Sequence, residues 1–265
     1  MTPEAGVSNR QTALERVLRH ERAALLGVVA VVTIACWAWI VPMARDMYGA
    51  MTGPSAWMMR AVWDTPHLIL LCAMWVTMMV AMMLPSAAPA LMLYASVARR
   101  SEEAGYRTGY VYLFALGYIV IWAAFSVGAT AIQRLLSNLL VLSPMMEVQG
   151  RTVAAGFLIA AGTFQLTPLK HVCLDACRSP ISFLTERWRS GAAGAFRMGI
   201  DHGLFCLGCC WALMLLLFVG GVMNLFVIVP LAIFVLIEKV APFGEWMGRL
   251  GGALLIGAAI WILVR

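Results

Sequence analysis

Long apolar runs separated by short polar stretches set the pattern of this chain. Seven runs, 24–42, 68–95, 109–134, 152–170, 199–220, 222–239 and 247–264, match or approach the length of about 20 residues that a helix needs to cross a hydrocarbon core of roughly 30 Å. Each run is continuously apolar, without the period-two alternation of a membrane barrel. The pattern predicts an all-α fold, a polytopic transmembrane helical bundle of about seven spans. Only a turn at Gly220-Gly221 separates the fifth run from the sixth, so six spans is the alternative.

Composition narrows the class further. The 265 residues are 62% hydrophobic and 12% charged, whereas soluble domains carry about 25% charge. That is too little charge to cover a water-facing globule of this size. The first run is longer than a signal-peptide core and is followed by Pro42-Met43-Ala44-Arg45-Asp46, so it is expected to persist as a span. Ahead of it, in residues 1–23, Leu14, Val17 and Leu18 recur at helical spacing against Arg16, Arg19 and Arg22. This reads as an amphipathic interfacial segment or as an extension of the first span. Residues 24–265 read as one transmembrane domain.

The net charge of +6 follows the loops. With the N-terminus in the cytoplasm, 14 of the 19 basic residues fall on the inner side, as the positive-inside rule requires. The charge therefore reads as topology in a cell inner membrane, with the lipid bilayer as partner and no role for nucleic acid.

Soft side chains carry the candidate chemistry. Cys36 and Cys72 stand alone within spans and read as small hydrophobes. The other five cysteines form two groups, each with a histidine. The first is Lys170-His171-Val172-Cys173-Leu174-Asp175-Ala176-Cys177, and the second runs from Asp201-His202 through Cys206 to Cys209-Cys210. On a helix His202, Cys206, Cys209 and Cys210 share a stripe about 100° wide. His202 and Cys209 are about 10 Å apart along the axis, too far to share one ion. Cys206 with Cys209 or with Cys210 is feasible. Both groups are expected at the cytoplasmic face, joined by a loop over 178–198. Asp175 and Asp201 are candidates to orient a ligating histidine.

Met74, Met78 and Met82 stack one turn apart, and thioethers with thiolates select Cu(I) over hard cations. Met43, Met47, Met51, Met58, Met59, Met145 and Met146 lie in or beside the outer loops. Pro85 and Pro89 should kink the second span. Gln165 reads as interhelical glue, and Glu238-Lys239 as a self-compensating pair at the interface. No P-loop, dinucleotide turn, zincin motif or Ser-His-Asp cue is present.

Four stretches resemble a bacterial family of unknown function known as predicted metal-binding integral membrane proteins. They are Trp75–Pro89, Phe164–Pro180, Gly199–Met214 and the ending Glu238-Lys239, Pro242 and Gly244. The resemblance implies a membrane helical fold and a metal site at the cysteines and histidines named above.

The leading expectation is a protein that binds a soft metal, Cu(I) first and Zn(II) second. The ligands would be His171, Cys173, Cys177, His202, Cys206, Cys209 and Cys210, with Met74, Met78 and Met82 guiding the ion. Its role would be transport or delivery, with a metalloenzyme or a soluble metallochaperone as partner. The alternatives are a membrane thiol-disulfide oxidoreductase, which the predicted cytoplasmic side disfavours, and a structural subunit whose cysteines only pack.

Overall fold

A computed structural model describes residues 4–49, 51, 56, 63–100, 109–139, 141–143 and 146–265, with backbone alone for 4–21 and 100. Met58, Met59 and Met145, and the side chains of Leu14, Arg16, Val17, Leu18 and Arg19 in the N-terminal amphipathic pattern, lie outside the described residues. Within them the regular elements are helices: α1 (Glu4–Met47), α2 (Thr65–Arg100), α3 (Gly109–Asn138), α4 (Arg151–Gln165), α5 (Pro168–Arg178), α6 (Pro180–Arg187), α7 (Gly191–Met214), α8 (Leu217–Gly220), α9 (Leu225–Val240) and α10 (Gly244–Val264). Five stretches are long and apolar enough to cross a membrane, namely Arg22–Met47, Thr65–Arg99, Gly109–Asn138, Gly191–Gly220 and Gly244–Val264. α4 and α5 would add a sixth, but they meet at 63°. The chain is a multi-pass membrane protein.

Three features differ from the apolar runs. The run 222–239 becomes α9, which has 16 residues. At 1.5 Å per residue it is about 24 Å long, short of the hydrocarbon core. Gly221 at φ 93° and the Asn224 cap, whose side chain accepts from Phe226 N at 3.0 Å, set its start. The run 152–170 breaks where Thr167 caps a new helix, its Oγ1 accepting from Lys170 N at 3.3 Å, and Pro168 opens α5. Proline suits that first position because its missing N–H has no helical partner there.

The third difference concerns the expected loop 178–198. Pro180 opens α6 inside it, and α7 begins at Gly191. Cys206, Cys209 and Cys210 therefore sit near the middle of the Gly191–Gly220 stretch rather than at its end. α1 is one helix from Glu4 to Met47. α2 runs unbroken through Pro85 and Pro89.

Glycines bring the helices together, because in lipid the attraction between helices comes from close packing rather than from water. α3 and α7 cross at Gly117 and Gly199, where a Cβ on Gly199 would lie 3.0 Å from Phe114 Cα. α4 and α10 cross at Gly162 and Gly252, where a Cβ on either would meet the other's carbonyl oxygen at 2.8 or 2.9 Å. Large apolar side chains such as Val31, Ile34, Ile69 and Leu254 face outward, as lipid-facing residues should. One buried polar pairing links α2 to α3 and the segment after it: Trp75 Nε1 donates to Gln133 Oε1 at 2.8 Å, and Gln133 Nε2 donates to Met146 Sδ at 3.0 Å.

Candidate metal centre

The candidate site forms where α5, α7 and α9 meet α2 and α3. On α7 the helical repeat buries His202, Cys206, Cys209 and Cys210 together. The thiols of Cys209 and Cys210 both donate back to Cys206 O, at 3.1 and 2.9 Å. α5 adds Cys177, whose thiol neighbours those of Cys206 and Cys209. Half-buried Cys173 packs at Gly208, where an added Cβ would lie 2.7 Å from its Sγ. The missing side chain at Gly208 lets α5 approach α7.

Around Cys206 stand groups from three other helices. Tyr118 Oη of α3 lies 2.9 Å from Cys206 Sγ and also donates to Met83 O at 2.9 Å. Lys239 Nζ of α9 lies 2.8 Å from Cys206 Sγ, 3.4 Å from Ser86 Oγ and 3.9 Å from Cys210 Sγ. Cys210 Sγ also touches Met83 Sδ at 4.0 Å.

The charges divide in a way that matters. Lys170 and Glu238 form a buried ion pair, and Lys170 also donates to Gln165 Oε1. Glu238 thus answers Lys170 and not its neighbour Lys239, so the expected self-compensating pair is not formed. Gln165 joins α4 to α5 through Lys170 across the bend rather than two separate spans. Lys239, also buried, is left with sulfur and hydroxyl acceptors. A buried cation needs a counter-charge, and the Cys206 sulfur is placed to supply it as thiolate. Neither lysine is a surface group.

His202 packs among Phe114, Tyr118 and Phe183, with ring centroids 5.9, 5.8 and 5.3 Å away. Its Nδ1 is buried without a hydrogen-bond partner among the described residues. Neither Asp175 nor Asp201 orients the ring through that atom, contrary to the role considered for them. The His171 side chain makes no hydrogen bond, ion pair or ring contact with the thiols among the described residues. Met74, Met78 and Met82 are buried along α2, but the methionine that reaches the thiols is Met83. Among the described residues no group of three His, Cys, Asp or Glu side chains is arranged to hold a metal ion. The arrangement offers thiols in pairs, Cys177 with Cys206 or with Cys209, beside a fixed cation.

Tyr118, Ser86, Met83 and the separate role of Lys239 had no place in the sequence-based site. Only Lys239 carried a signal, as a charge at the end of an apolar run. No curated protein matches the chain, and no solved structure matches it. The family model that matches is PpoB2, described as a copper chaperone, over residues 72–262. That range covers most of the chain and every cysteine and histidine of the candidate site, and the protein belongs to the PpoB2 copper-chaperone family.

Proposed function

We propose that the protein is a membrane copper chaperone that takes up Cu(I) on the thiols at the α5–α7 contact and hands it to a metalloenzyme. The observation that carries this reading is the approach of Cys177, from one helix, to Cys206 and Cys209 of another. Cu(I) is soft and bonds well to two thiolates, whereas structural zinc asks for four nitrogen or sulfur ligands. Cys177 with Cys206 is the primary pair. Cys209 and Cys210 are alternates on the same face. Cys173, half-buried beside them, and His171 two residues before it mark the side of the site from which copper enters, and His202 closes the opposite end of the stripe. Met74, Met78 and Met82 line a thioether route along α2.

The location belongs to the same reading. The protein sits in the inner membrane with its N-terminus in the cytoplasm, and a soluble metallochaperone is the natural donor. Deletion should leave total cellular copper unchanged while one client enzyme loses its metal, because delivery redistributes copper and transport alters the total.

Elemental analysis of the detergent-purified protein after Cu(I) loading tests the proposal. About one copper per chain is expected, and the variant with serine at 173, 177, 206, 209 and 210 should carry none. Equal copper in both proteins would refute the site. A thiol oxidoreductase is the second reading, favoured by the same approach of Cys177 to Cys206. It predicts a reversible disulfide between those residues and no retained metal.

A further inference from the structure

We infer that Lys239 selects the charge of the cargo, as a built-in cation that favours a monovalent soft ion over a divalent one at the thiol pair. This rests on the copper-binding reading above and adds the physical reason for discriminating Cu(I) from Zn(II).

The placement of Lys239 is over-determined. It lies in the last turn of α9, where the carbonyl end of the helix dipole favours a cation. An ammonium has three N–H donors, and three acceptors surround this one: Cys206 Sγ at 2.8 Å, Ser86 Oγ at 3.4 Å and Cys210 Sγ at 3.9 Å. Ser86 gives its own proton to Met83 O at 2.8 Å, which leaves its lone pairs turned to Lys239. The one carboxylate nearby, Glu238, is engaged by Lys170. Among the described residues nothing in contact with Lys239 supplies negative charge except sulfur.

Charge balance then decides between cargoes. Two thiolates and a monovalent ion carry a net single negative charge, which Lys239 neutralises. Two thiolates and a divalent ion are already neutral, so Lys239 would be left as an uncompensated cation inside the bundle. Such a charge is costly away from water. In the metal-free protein the Cys206 thiolate balances Lys239 and Cys177 keeps its proton; Cu(I) binding releases that one proton to water, so the site is neutral before copper arrives and after it binds.

Ag(I) and Cd(II) test the idea, since both are soft and they differ in charge. Competition titrations on the purified full-length protein should show a preference for Ag(I) beyond that of a two-cysteine peptide without lysine. Lys239→Gln should reduce this preference by roughly a hundredfold, the order expected when a unit charge a few ångströms away is removed, while Lys239→Arg retains it. An unchanged ratio in Lys239→Gln would overturn the inference. Should that variant fail to fold, the wild-type comparison decides alone, and a ratio equal to the peptide's overturns it. A wild type that binds no Cu(I) would instead remove the copper reading, which keeps the two failures distinct.

Discussion

Glu238 turns its carboxylate to Lys170, 68 positions away in the chain, and not to Lys239 beside it. The pair is fully enclosed, with side-chain exposures of 1% and 0%, and it ties α5 to α9. Breaking one partner of a buried pair strands the other charge and costs about 3–5 kcal/mol. Lys170→Met and Glu238→Gln should each lower the unfolding temperature of the detergent-solubilised protein markedly. The double variant Lys170→Met/Glu238→Leu should recover most of the loss. A double variant as unstable as the singles would show that the groups act through other partners.

Single serine substitutions should rank the thiols. Cys177→Ser and Cys206→Ser are each expected to weaken Cu(I) binding by more than the roughly 10–100-fold that loss of a mere supporting group costs. Cys210→Ser should be milder, because Cys210 faces Met83 and Lys239 and its thiol is spent on Cys206 O. Chelator competition on each purified variant gives the order. Full affinity in Cys206→Ser would sink the site.

The glycine crossings predict where bulk is intolerable. A leucine at Gly199 must displace the Phe114 backbone, and one at Gly252 the Gly162 carbonyl together with the Gln165 and Leu166 side chains, and overpacking costs about 1–3 kcal/mol. Gly199→Leu should separate α3 from α7 and reduce the thermal stability of the purified protein. Gly128→Leu, at a position with open space around it, is the matched control and should be near neutral.

Gln133→Leu should leave the Trp75 indole N–H buried without its acceptor, since that bond at 2.8 Å is the one it makes to Gln133. An orphaned donor of this kind costs about 1–3 kcal/mol. The loss should appear in chemical unfolding together with a changed Trp75 emission. Gln133→Glu, which keeps an acceptor, should retain more stability than the leucine variant.

The helices were legible because apolar runs of span length leave few alternatives, and the α7 thiols because four residues fell on one helical face. What the sequence did not show shares a cause. Glu238 and Lys239, like Met82 and Met83, are chain neighbours, and neighbours on a helix point about 100° apart. Adjacency suggested that Glu238 and Lys239 pair, and geometry sent them to different helices. For the same reason a ladder at 74, 78 and 82 misses the methionine that reaches Cys210. Tyr118 sits in an ordinary apolar run, and only its contact across α3 and α7 reveals it. The break at Thr167-Pro168 was present as a capping residue followed by proline, but a hydropathy window passes over it.

That break changes what distance along the chain means. α5 leaves the direction of α4 by 63°, so most of its length, about 16 Å for 11 residues, runs sideways through the bundle rather than along it. Cys173 and Cys177, both half-buried, therefore lie at nearly one level in the bundle. The two thiols are thus separated sideways rather than in depth, and a step along α5 crosses the bundle without crossing the membrane.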